Sequence, residues 1–129
     1  MALNSTVTAA SIMGVPDNTI KIIKTIKQPF IKQFVVISKK STTTIKPSLY
    51  TVKIESNTAD LTPTSKIKVF CDCLDFRYRN AYCFHQKGAL LMPASYVIEP
   101  PDKTNAGCNQ FRACKHIRAA LKYGVERGI

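Results

Sequence analysis

Five cysteines and two histidines are the residues of this chain whose types and spacing could do chemistry. Cys71-Asp-Cys73 is a Cys-x-Cys pair and Cys114-Lys-His116 is a Cys-x-His pair. Together they offer three thiols and one imidazole, the donor set of a structural zinc site, in which four N/S ligands surround the ion tetrahedrally. Thiolate with imidazole suits zinc better than it suits hard cations. A rival drawing uses Cys83-Phe-His85, another Cys-x-His. Nine residues separate Cys73 from Cys83, and forty separate Cys73 from Cys114. Spacing alone favours the nearer pair. Context favours Cys114 and His116, because they leave a Gly- and Asn-bearing loop and open a helical pattern. Cys108 is a spare candidate. Any one of the five could instead be a packed core residue, since free Cys is among the most buried residue types.

These two pairs, with Asp75-Phe76 after the first and Ile117 and Ala119 after the second, resemble the SWIM-type zinc finger. The resemblance covers two short segments and departs from the family in the long insertion between them. It implies one bound Zn²⁺ held by Cys71, Cys73, Cys114 and His116. It also implies a nucleic-acid-binding use, with basic helices near the metal making the contacts. Lys115, Arg118 and Lys122 fall at three- and four-residue spacing on one face of the final helix and would serve that use. Ile117, Ala120, Leu121 and Val125 fall on the opposite, apolar face.

The elements that must position the donors are legible in outline. Residues 1–18 show neither a helical nor an alternating period and read as an extended arm. Residues 19–129 read as one domain. Ile, Val and Phe interleave with Lys from Thr19 to Lys39, broken by Pro29, which predicts two strands. Lys40-Ser-Thr-Thr-Thr reads as a polar turn. Tyr50, Val52 and Ile54 alternate with Thr51, Lys53 and Glu55 in a half-buried strand. Lys66 to Phe70 alternates again and delivers Cys71. Asp75 to Leu91 reads as one aromatic helix ended by Gly88. Pro93 to Gly107, with Pro100-Pro101, reads as a connection. Gly124 and Gly128 are expected to weaken the end of the last helix. The predicted class is α+β: an antiparallel sheet of about four strands followed by two helices around a Cys3His zinc site.

Bulk properties bound the rest. At 129 residues with 45% hydrophobic content, the chain can bury one core, so zinc would add to packing rather than replace it. An odd number of cysteines cannot all pair, so thiols kept for metal in a reducing compartment are expected. No leader and no apolar run approaching the ~18 residues of a membrane span is present, which predicts a soluble protein with no membrane partner. The net charge of +11 expects a polyanion or an acidic protein surface as partner. Ten Lys and three acids lie in residues 1–70, against nine Lys or Arg and five acids in residues 71–129. No glycine-rich phosphate loop or paired carboxylates appear. Cys83 and His85, two apart on a helix, would point in different directions rather than form an activated pair. An enzyme is not expected.

A second resemblance runs over residues 70–122. Cys-Asp-Cys-x-Asp-Phe-x-Tyr-Arg, an Ala-Tyr helix ending in Lys-Gly-Ala, a Pro-rich link and Cys-Lys-His-Ile together resemble small virion proteins of tailed bacteriophages. The Lys-, Ile- and Thr-rich composition fits an AT-rich phage such as one of the crAss-like group. The resemblance implies an accessory capsid or neck protein, made in the host cytoplasm and placed in many copies in the virion. Its partner would be the major capsid protein or another virion protein, with packaged DNA as a further contact.

Overall fold

A computed structural model describes residues 7–13, 20–38, 48–73, 76, 81–91 and 113–129. The segments that alternate β-branched residues with Lys and Thr form four strands, as their preference for a pleated, half-buried surface dictates. These are β1 (Ile20–Gln28), β2 (Ile31–Ser38), β3 (Ser48–Ser56) and β4 (Ile67–Cys71), in one antiparallel sheet of order β1-β2-β3-β4. Among the described residues three helices accompany it: α1 (Ala9–Met13), α2 (Ala81–Gln86) and α3 (Lys115–Arg127). The α+β class with a four-stranded antiparallel sheet is the one expected, with an extra short helix ahead of the sheet. No helix among the described residues is long and apolar enough to cross a membrane.

The strand period of two sorts the side chains. Phe34 and Val36, Val52 and Ile54, and Ile67, Val69 and Cys71 all point to one face and are fully buried. Register confirms the layer, since Val52 stands opposite Cys71 and Ile54 opposite Val69. Helix α3 lies on this face and buries Ile117, Ala120 and Leu121 against it. Gly124 makes the close approach possible: a Cβ there would come within 2.7 Å of Leu61 Cδ1 and 3.4 Å of Phe34 Cζ. Gly128 ends the helix in the left-handed region at φ 64°, and the Ile129 N–H returns to the Gly124 carbonyl at 3.0 Å. That is a Schellman-type close. The two glycines therefore pack and cap α3 rather than weaken it.

Two expectations give way here. Val7, Ala9 and Ile12 are buried in the core, so part of the supposed arm 1–18 belongs to the domain. The segment is too short for its apolar residues to register as a period. Its order comes from hydrogen bonds to the β4 side of the sheet: Ile67 N–H to the Val7 carbonyl at 2.9 Å and Ala9 N–H to the Ser65 carbonyl at 3.0 Å. The aromatic helix is also shorter than Asp75–Leu91. Gly88, at φ 69°, turns the chain, and residues 89–91 then pair in parallel with β4 through Val69. The outer β4 edge is thus covered at Ile67 and Val69. The other edge, β1, carries exposed Lys21, Lys24 and Lys27 and a bulge between Ile22 and Lys24, features that discourage edge-to-edge pairing. The expected turn at 40–44, the Pro-rich connection and Cys108 lie outside the described residues.

Candidate metal centre

Cys71 is the last residue of β4, and its inward direction follows from the alternation that buries Ile67 and Val69. Asp72 ties the Cys-x-Cys turn to β3. Its Oδ1 accepts the Thr51 N–H at 2.9 Å, and its own N–H donates to the Thr51 carbonyl at 3.3 Å. Pinned there, the turn brings Cys73 back toward the core, where its Sγ accepts the Phe76 N–H at 3.3 Å. Phe76 is fully buried and packs edge-on to Phe70 and tilted against Phe84 of α2. The second pair comes from α3. Cys114 is its N-cap residue, with extended backbone, and its carbonyl accepts the Arg118 N–H at 3.1 Å. His116 follows in the first turn.

The two pairs meet. One donor atom each from Cys71, Cys73, Cys114 and His116 lies within 4.8 Å of the other three, and all four residues are buried. A tetrahedral zinc with Zn–S of about 2.3 Å sets its donors about 3.8 Å apart, so the cluster needs only a small closure around the ion. Electrostatics make the same point. The Cys71 thiol is held far above its ordinary range by hydrogen bonds to Cys114 and Cys73 and by burial. Burial foremost also raises Cys114. Cys73 is lowered by accepting from Cys114 and Cys71. Three thiols this close and this buried oppose one another's ionisation. Both ring nitrogens of His116 are buried with no nitrogen or oxygen partner among the described residues, and the Cys73 thiol is their polar neighbour. A buried polar atom so orphaned is costly. A divalent cation resolves both features, letting the thiols ionise and taking one imidazole nitrogen.

The rival pair is not part of the cluster. Cys83 is buried and held in a disulfide, against the expectation that such thiols stay free, and His85 is exposed. The proposed basic stripe fares unevenly: Lys122 is exposed and lies 3.8 Å from Glu126, whereas Lys115 and Arg118 are half-buried. Sequence reasoning missed two residues of the site. Asp72 could have been found from its place between the cysteines. Tyr50, whose ring lies 4.2 Å from that of His116 with planes at 36°, announced only that it ends an alternating strand.

Comparison with known families agrees on the chemistry. The family model of the SWIM zinc finger matches residues 50–92, a third of the chain. That range holds Cys71, Cys73, Cys83 and His85 and stops short of Cys114. Among the described residues, the cluster that could hold a metal takes its second pair from α3, at Cys114 and His116. No curated protein and no solved structure matches the chain. The family match and the Cys3His cluster together support zinc binding.

Proposed function

We propose that the chain is a non-enzymatic zinc module whose metal fastens α3 to the end of β4, and that it acts as an accessory part of a larger assembly. The observation that carries the first half is the donor count in a closed site. Three thiolates and one imidazole fill a tetrahedral zinc, leaving no position for water or substrate. Such a site supplies folding energy, since binding and folding are linked. The resemblance of residues 70–122 to small virion proteins supports the finer reading: an auxiliary capsid or neck component of a phage, made in the host cytoplasm and present in many copies. Its positive surface would meet acidic capsid protein or packaged DNA. Co-purification with intact particles at one zinc per chain, by elemental analysis, is the expected result. Metal-free protein purified without chelator would overturn the module, and absence from particles would overturn the assembly role.

The second reading is a basic nucleic-acid-binding module, favoured by the +11 charge and the exposed lysines of β1. The half-buried Lys115 and Arg118 make α3 a weaker contact face than its sequence suggested. Direct titration with duplex DNA across salt concentrations separates the two readings.

A further inference from the structure

A zinc-bound histidine ordinarily donates its second ring N–H to a carboxylate, a carbonyl or water, and that outer contact fixes the ring and tunes the ligand. Among the described residues neither His116 nitrogen has a carboxylate, carbonyl or hydroxyl partner, and the Cys73 thiol is its polar neighbour. It also has an aromatic face. The Tyr50 ring lies 4.2 Å from the imidazole centroid at an interplanar angle of 36°. The contact is built in from β3. Alternation puts Tyr50 on the same face as Val52, and Val52 stands opposite Cys71 in the β3–β4 ladder. The strand pairing that sets Cys71 therefore also sets Tyr50 two residues along. Tyr50 is half-buried and His116 is 3% exposed.

We infer that Tyr50 is a positioning residue of the metal centre, holding the His116 imidazole plane through its tilted ring contact. A ring contact restrains rotation about the Cβ–Cγ bond and leaves both nitrogen edges clear, so one can face the three sulfurs. The flat face, not the hydroxyl, does this. Phenylalanine should therefore replace Tyr50, and an aliphatic residue should not. The inference rests on the ligand set Cys71, Cys73, Cys114 and His116.

The test uses the full chain with zinc and cobalt as probes. Competition with a chromophoric chelator is expected to show zinc affinity about tenfold lower in Tyr50→Leu and within about twofold of the parent in Tyr50→Phe. The decisive comparison repeats the change in His116→Cys, whose four thiolates also suit zinc. With the imidazole gone, Tyr50→Leu should alter affinity by less than about twofold, since the two positions couple only through the ring. An equal loss in both backgrounds would show that Tyr50 merely supports the fold, and no loss in either would show that it does nothing for the metal. Should His116→Cys fail to fold, the cobalt spectrum of Tyr50→Leu decides. Shifted d–d bands with unchanged far-ultraviolet dichroism support positioning, and an unchanged spectrum overturns it. If the parent chain bound neither ion, the metal-centre reading itself would fall and take this inference with it.

Discussion

Three thiols packed with an imidazole cannot all ionise without a cation, and that constraint divides the four described cysteines by role. Cys71, Cys73 and Cys114 converge and are free, while Cys83 is disulfide-bonded and stands outside the group. Cys114→Ser should therefore abolish stoichiometric zinc, and Cys83→Ser should leave it near one per chain. Elemental analysis of the two purified variants checks this, and the reverse result would restore the ligand set of family spacing. A second residue carries a pH prediction. Lys32, on the core face of β2, is fully buried, and its ammonium donates to the Ala59 carbonyl. Its pKa is lowered from 10.5, first by burial and then by the charge of Lys27, with Asp60 opposing. The unfolded chain thus holds this proton to higher pH than the folded one. Below the folded pKa the charged form weakens the fold; stability recovers as pH rises through it toward 10.5. Lys32→Met, which removes the buried charge, is expected to raise the urea midpoint at neutral pH, with the gap from the parent narrowing in alkaline buffer. A pH-independent gap would locate the cost in packing instead.

Elements were legible where local chemistry and tertiary packing agree. The four strands were readable because lysine and β-branched residues alternate, and α3 because its apolar residues recur at helical spacing. The two close-set donor pairs were readable because each is local, and the loop-to-helix context already favoured Cys114/His116 over Cys83/His85; that the pairs meet is visible only in the topology that brings α3 back over β4. The N-terminal segment was misread for the opposite reason: its order is supplied wholly by the β4 edge and the core. Ile12→Ala should accordingly cost about 2–4 kcal/mol, measured by chemical denaturation, and deleting residues 2–13 should lower the thermal midpoint sharply. Survival of the fold without them would return the segment to the role of a free arm. Gly124 tests the seat of α3. Alanine there gains about 1 kcal/mol of helix propensity over glycine. Its Cβ, however, would come within 2.7 Å of Leu61 Cδ1, a buried side chain that must shift to admit it, and would touch Phe34. Overpacking of this kind costs typically about 1–3 kcal/mol, so Gly124→Ala is expected to be neutral to destabilising by about 2 kcal/mol and Gly124→Val to be markedly worse.

At the scale of the whole molecule the dominant fact is charge of one sign. The formal net charge is +11, and binding zinc with loss of three thiol protons lowers it by about one. Two ion pairs among the described residues, Lys27 with Asp60 at 2.9 Å and Lys122 with Glu126 at 3.8 Å, are solvent-exposed, where such pairs contribute least. Self-repulsion on this scale opposes compactness, and dissolved salt screens it over about 8–10 Å at physiological strength. Salt should therefore raise the thermal midpoint of the isolated chain. Its effect on binding depends on the partner. A contact made through several phosphates releases counterions, so affinity for duplex DNA falls steeply, by about 0.9 log unit per log unit of salt for each phosphate engaged. A contact with a protein shell, partly apolar, loses much less. On the assembly reading, anisotropy with a labelled duplex of random sequence should show binding at low salt that vanishes by ~0.15 M, while association with particles persists there. Submicromolar DNA binding at that ionic strength, with a slope reporting several phosphates, would transfer the chain to the nucleic-acid class and make its lysines the contact residues rather than a solvated surface.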